Sequence, residues 1–160
     1  MALRAVWEGV RRCAAEVRWK APGVLFSWRK NSPRLRRAVA ETAGSPREQL
    51  RAFFNASFSP PNLDSDVLAV WVVFWGLYRH AKDSQRVQSE TYQGYIDLLR
   101  GMLADLEKVT GKLRFNLRLA AIGLTALIDG LWLEWCLDPE NFEPREAVEL
   151  CEAWVESLEG

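Results

Sequence analysis

Histidine is almost missing from this chain, with His80 alone among 160 residues. It has no H-E-x-x-H or E-x-x-H neighbourhood, so the usual catalytic zinc constellations are excluded. Cysteine is scarce as well: Cys13, Cys136 and Cys151 make an odd number without C-x-x-C spacing. That excludes a disulfide scaffold and reads as free thiols in a reducing cytoplasm. There is no G-x-S-x-G, no glycine loop to cradle a phosphate, and no local signature around a nucleophilic cysteine. No enzyme chemistry, cofactor or metal is therefore expected. His80 reads as a surface residue at a helix end, and Asp97, Asp105 and Glu107 as the solvated face of an amphipathic helix. A signal peptide is also missing, since the first twenty residues are charged and lack an apolar core segment. The expected location is cytoplasmic.

What is present is apolar and aromatic. About half the residues (49%) are hydrophobic and a quarter (26%) charged, the balance of one folded domain. Eight tryptophans offer large rings to a core, a pocket or an interface. The net charge of zero hides an asymmetry: residues 1–40 hold ten Lys/Arg against two Glu, whereas residues 64–160 hold nine basic against seventeen acidic residues. A basic first third on an acidic body points toward a polyanion, with solvated helix surface as the plainer alternative.

One stretch, LTALIDGLWLEWCL (Leu124–Leu137), is nearly all apolar yet contains Asp129 and Glu134. Each carboxylate would cost about 2.5–3.5 kcal/mol at the centre of a bilayer, and the run is barely long enough to cross one. A helix buried against protein is the expectation, with no membrane partner.

The spacing predicts helices throughout. Ser45-Pro46-Arg47-Glu48 is a start signal, with Ser45 as N-cap, proline in the first turn and Glu48 closing a capping box. Leu50, Phe53, Phe54 and Phe58 continue at helical spacing until Ser59–Asn62 stops them. A second run starts near Asp64 and carries Val67–Tyr78. A third extends from about Asp83 to Thr110, with Gly111 as its stop. Helices over Lys112–Leu137 and from Pro144 to Leu158 complete an all-α bundle. The last two have more apolar face than a small bundle covers, and Ala120, Ala121, Gly123, Ala126 and Gly130 permit close approach. A two-fold seam between copies fits both observations.

The blocks LAVWVVFWGLYRH, QRVQSETYQGYIDLL and GLTALIDGLWLEWCL closely resemble the C-terminal domain of TetR-type transcriptional repressors. They are most similar to the subgroup that contains the choline-responsive (BetI-like) repressor of glycine-betaine synthesis. The resemblance covers roughly residues 33–158. It implies a helical homodimer joined through its last two helices, a small-molecule effector in the C-terminal domain, and operator DNA as partner of a helix-turn-helix. The seam would then involve Ala120, Gly123, Leu127, Gly130, Leu131, Val148, Cys151, Trp154 and Val155. The family phrase A-G-V-S-x-G-x-x-x-x-Y-F is absent; APGVLFSWRK (Ala21–Lys30) is its nearest counterpart. Residues 1–32 thus read as a short basic segment, a remnant or replacement of the helix-turn-helix, with Arg29 and Lys30 as weak DNA contacts. Residues 33–160 read as the effector-binding and dimerisation domain. A transcriptional regulator is the leading expectation, and a module without sequence-specific DNA binding the rival.

For the effector, Trp71, Phe74 and Trp75 share a helix, with Trp71 and Trp75 at i, i+4. Tyr92 and Tyr95 lie at i, i+3 on the next. Such rings attract a quaternary ammonium through their π-faces, and a carboxylate such as Asp129, beside Trp132, adds to the attraction. The alternative for each ring is simple core packing.

Overall fold

The computed structural model describes residues 33–60, 62–63 and 82–159, the side chains of residues 82–91 excepted. Among these residues there are five helices and no strand. They are α1 (residues 33–41), α2 (Pro46–Ser57), α3 (Lys82–Thr110), α4 (Leu117–Leu137) and α5 (Pro144–Ser157). The expected helix over Val67–Tyr78, His80, and the whole segment 1–32 lie outside the described residues.

The start of α2 is the capping box read from the sequence. Glu48 Oε2 accepts from the Ser45 backbone N–H at 2.7 Å, while the Ser45 side chain accepts from the Glu48 N–H. These bonds also hold the exposed Glu48 carboxyl below its usual range. The other face of α2 buries Leu50, Phe53 and Phe54 completely, each worth about 1.5–3 kcal/mol in transfer from water. The long α3 buries Tyr95, Leu99, Met102, Leu103 and Leu106 on one side. It ends at Gly111, whose φ of +93° lies in the left-handed region that a side chain resists.

The next helix starts later than its apolar pattern suggests. Asn116 is the N-cap of α4, its Oδ1 accepting from Leu119 N at 3.0 Å. Residues 112–115 are not helical because they are held from the far end of the chain: Leu113 bridges Glu159, and Arg114 N donates to Leu158 O at 2.7 Å. Buried Leu113 anchors that link. Arg47 reinforces it by pairing with Glu159.

The helices form a ring in which α2 touches α3 and α5, and α4 touches the same two neighbours. Thus α2 and α4 lie diagonally across the core, and only long side chains bridge them. By length and hydropathy α4 could span a bilayer. Here Ala120, Ala121, Leu124, Thr125, Ile128 and Trp132 are buried against the rest of the bundle, which covers 33% of the apolar window and leaves its other face open. α1 joins the bundle through buried Leu35 and a bond from Arg36 Nη2 to the Gly94 carbonyl at 3.0 Å. A Cβ at Gly94 would stand 3.2 Å from that nitrogen, so the bare backbone is what lets the guanidinium approach.

Candidate functional site

Five residues from three helices close a circuit in the middle of the ring. Phe53 of α2 meets the Tyr95 ring of α3, with centroids 5.6 Å apart. Tyr95 is buried, and that burial, followed by the field of Asp129 on α4, pushes its phenol well above the usual range. Trp132 follows Asp129 by three residues, so both leave α4 on neighbouring faces. The Trp132 indole crosses the diagonal and donates from Nε1 to the Ser57 carbonyl at 3.3 Å. Ser57 is one turn beyond Phe53 on α2, which closes the loop. The Phe58 ring meets Trp132 edge-on at 6.5 Å.

Asp129 is the charged member. Burial raises its pKa from 3.8 to about 6, and among the described residues no basic side chain pairs with it. A desolvated carboxylate with no cation beside it among the described residues is costly to hold and attracts a cation. Tyr92, at the outer edge with 39% exposure, also feels Asp129, and its phenol is pushed up chiefly by burial. Both tyrosines therefore remain neutral near pH 7. Two phenol rings thus share the field of one carboxylate, chemistry of the kind that attracts a cation.

Of the residues expected at an effector site, Tyr92 and Tyr95 lie within the field of Asp129, while Trp132 contacts Ser57 and Phe58. Trp71, Phe74 and Trp75 lie outside the described residues, as do Arg29 and Lys30. Sequence reasoning missed Phe53 and Ser57, because nothing in α2's amphipathic pattern says which apolar residue faces a distant tyrosine. A groove of about 230 Å³ between α2 and α5 contains none of the expected residues. The ion pairs Arg51–Glu152 at 2.6 Å and Arg47–Glu156 at 3.8 Å span it, and such exposed pairs stabilise little.

The expected seam residues divide. Ala120, Val148, Cys151 and Val155 are turned into the protomer's own core, and burial pushes the Cys151 thiol to about 12. Gly123, Leu127, Gly130, Leu131 and Trp154 are half-buried. Trp154 lies over Gly123 so closely that a Cβ there would sit 2.7 Å from the indole. The exposed large apolar residues here are instead Leu119, Ile122 and Leu137 of α4, Leu150 of α5 and Phe115 just ahead of α4.

A model of the C-terminal domain of BetI-type transcriptional repressors matches residues 46–159. The chain belongs to this BetI-type TetR family. It is 33% identical over 129 residues to the HTH-type transcriptional regulator BetI of Paraburkholderia phytofirmans, covering 81% of this chain and 62% of that protein. The BetI of Burkholderia mallei is 33% identical over 123 residues, or 77% of this chain and 60% of the relative. The chain thus spans about three fifths of the length of the curated relatives it matches. Among solved structures, a protein of Pseudomonas aeruginosa PAO1 described as a transcriptional regulator is 43% identical. It superposes with a TM-score of 0.80 over 85% of this chain and 65% of its own. A TetR-family protein from Rhodococcus sp. is 14% identical and shares the fold, with a TM-score of 0.66 over 85% of this chain and 73% of its own. The BetI-type family accounts for the all-α architecture and the order of its helices.

Proposed function

We propose that residues 33–160 are the effector-binding and dimerisation domain of a TetR-type transcriptional repressor. Its effector is a small cation such as choline or a related quaternary ammonium. One observation carries this reading: Asp129, desolvated and without a counter-charge among the described residues, in a circuit with Tyr95 and Trp132. Ligand binding favours one of two arrangements of the dimer, and the DNA affinity follows the population. The homodimer forms across α4 and α5, which expose Leu119, Ile122 and Leu137 on the first and Leu150 on the second. A seam of that character is obligate.

Titrating choline against tryptophan emission tests the site. A saturable change in the native chain that is lost in Asp129→Asn, with the variant still folded, is the expected result. No response to any quaternary ammonium removes the reading. Light scattering at micromolar concentration should give twice the chain mass, and a soluble monomer would sink the seam. A mobility shift against the upstream region of the protein's own gene, with unrelated competitor DNA at two salt levels, separates the two DNA readings. Specific, salt-tolerant retention indicates a repressor with a working head; weak retention lost in moderate salt indicates charge alone and the rival module.

A further inference from the structure

One end of the bundle is closed by segments far apart in the chain. Arg114 N, in the link between α3 and α4, donates to the Leu158 carbonyl at 2.7 Å, and Leu113 forms an antiparallel bridge with Glu159. Leu113 and Leu158 are both buried there. Arg47, in the first turn of α2, adds its guanidinium, with Nη2 on Glu159 Oε2 and Nη1 3.8 Å from Glu156 Oε1. The start of α2, the link before α4 and the residues after α5 thus meet in one clasp.

The clasp is imperfect. The Glu159 side chain is 17% exposed, and its Oε1 is buried with no hydrogen-bond partner among the described residues. A buried carboxylate oxygen left unsatisfied opposes the closed arrangement, and opening returns it to water. Arg47 therefore holds shut a contact that works against itself.

The restrained segment also suits a different structure. Lys112, Leu113 and Arg114 are good helix formers, and no proline or β-branched residue stands between Gly111 and Leu119. Leu113 lies four residues before the partly buried Leu117 and seven before the buried Ala120. Phe115 lies four before Leu119 and seven before Ile122, and all three are exposed. A helix begun earlier would keep both faces in register. Gly111 is already left-handed and ends α3 in either case. With Lys112 it leaves a turn of about two residues, the short limit for antiparallel helices.

We propose that the Arg47–Glu159 pair is a lock that sets where α4 begins. With the clasp closed, Asn116 caps α4 and Phe115 stands outside the helix. With it open, the cap moves back to Leu113, α4 gains about one turn, and Phe115 continues the row of Leu119 and Ile122. Backbone amides report the difference. In the closed state Leu117 and Arg118 are among the first N–H groups of α4, which have no carbonyl one turn behind them. In the open state they bond to the carbonyls of Leu113 and Arg114, while Arg114 N loses Leu158.

Hydrogen exchange read by NMR on the native chain and on Arg47→Glu tests the lock. Glutamate sets like charge against Glu156 and Glu159, yet it suits the N-terminus of α2, so the clasp opens without weakening that helix. Arg114 should exchange about tenfold faster than in the native chain, and Leu117 and Arg118 about tenfold slower, the scale of one hydrogen bond lost or gained. The double variant Arg47→Glu/Glu159→Arg should restore the native pattern. Simple fraying speeds every amide in the region, so Leu117 and Arg118 unchanged or faster overturns the earlier start of α4. An unchanged Arg114 overturns the lock. Should Ile128, in the middle of α4, also exchange faster, the variant has loosened as a whole. The same comparison is then made with Arg47→Met, which removes the charge and keeps much of the length, under the same criteria.

Discussion

Replacing Asp129 by asparagine should stabilise the ligand-free protein, and by an amount that depends on pH. The carboxyl titrates at about 6 in the folded chain and its ordinary value is 3.8. The native state therefore holds the proton to higher pH than the unfolded state does. Between about pH 4 and 6 the native state binds more protons, so stability falls as pH rises through that window and stays lowered above it. At about 1.4 kcal/mol per pH unit, the gap corresponds to a cost of about 3 kcal/mol at neutral pH, an upper bound for a half-buried side chain. Asparagine keeps the shape and removes the charge. Urea melts of the native chain and Asp129→Asn from pH 4 to 8 should show curves that nearly coincide at the acid end. By pH 8 they should part, with the variant ahead by about 2–3 kcal/mol. Tyr92, Tyr95 and Cys151, the described groups that titrate nearby, are all pushed upward and do not ionise in this window. A difference that is flat across pH, or a variant less stable at pH 8, would refute the assignment of a desolvated, uncompensated charge.

Cation affinity should show the mirror image. Choline binding measured by calorimetry is expected to be constant above about pH 7 and roughly tenfold weaker at pH 5, as Asp129 takes up its proton; a pH-independent affinity argues against a carboxylate contact. Gly123→Ala sets a Cβ 2.7 Å from Trp154 Cζ2, so a net loss of about 1–2 kcal/mol should remain after the gain in helix propensity. Trp154→Leu should recover most of that loss in a double-mutant cycle read by urea melts. At Gly130 a Cβ meets nothing within 4 Å in the protomer. Gly130→Ala should therefore raise protomer stability by about 0.5–1 kcal/mol, while Gly130→Phe should shift light scattering toward monomer if the seam crosses that point.

Local chemistry carried much of the fold. The capping box at Ser45, the stop at Gly111 and the start at Pro144 rest on residues close in sequence, and the structure has all three. The stretch 112–115 failed as helix because its fate is set by Leu158 and Glu159, more than forty residues away, and periodicity has no access to such a link. The seam shows another limit. An apolar stripe on α5 identifies Val148, Cys151 and Val155 as buried, without saying that the protomer itself buries them. At the candidate site, the charged residue stood out because an aspartate in an apolar run is costly. Phe53 and Ser57 gave no such signal, being ordinary residues on an ordinary amphipathic helix until Tyr95 and Trp132 meet them.

The bond from Trp132 to Ser57 has a consequence for how α2 ends. The last carbonyls of a helix have no partner within it and must find one outside. In α2 the Phe54 carbonyl takes the Phe58 amide, and the Ala56 carbonyl takes Ser59 and Asn62, all close in the chain. The Ser57 carbonyl is different, because its cap is an indole from the opposite side of the ring. Fraying of this final turn is therefore governed by the position of α4 rather than by local sequence. Amide exchange at Phe58, whose N–H bonds back to the Phe54 carbonyl in that turn, becomes a gauge of whether the two diagonal helices are still in touch.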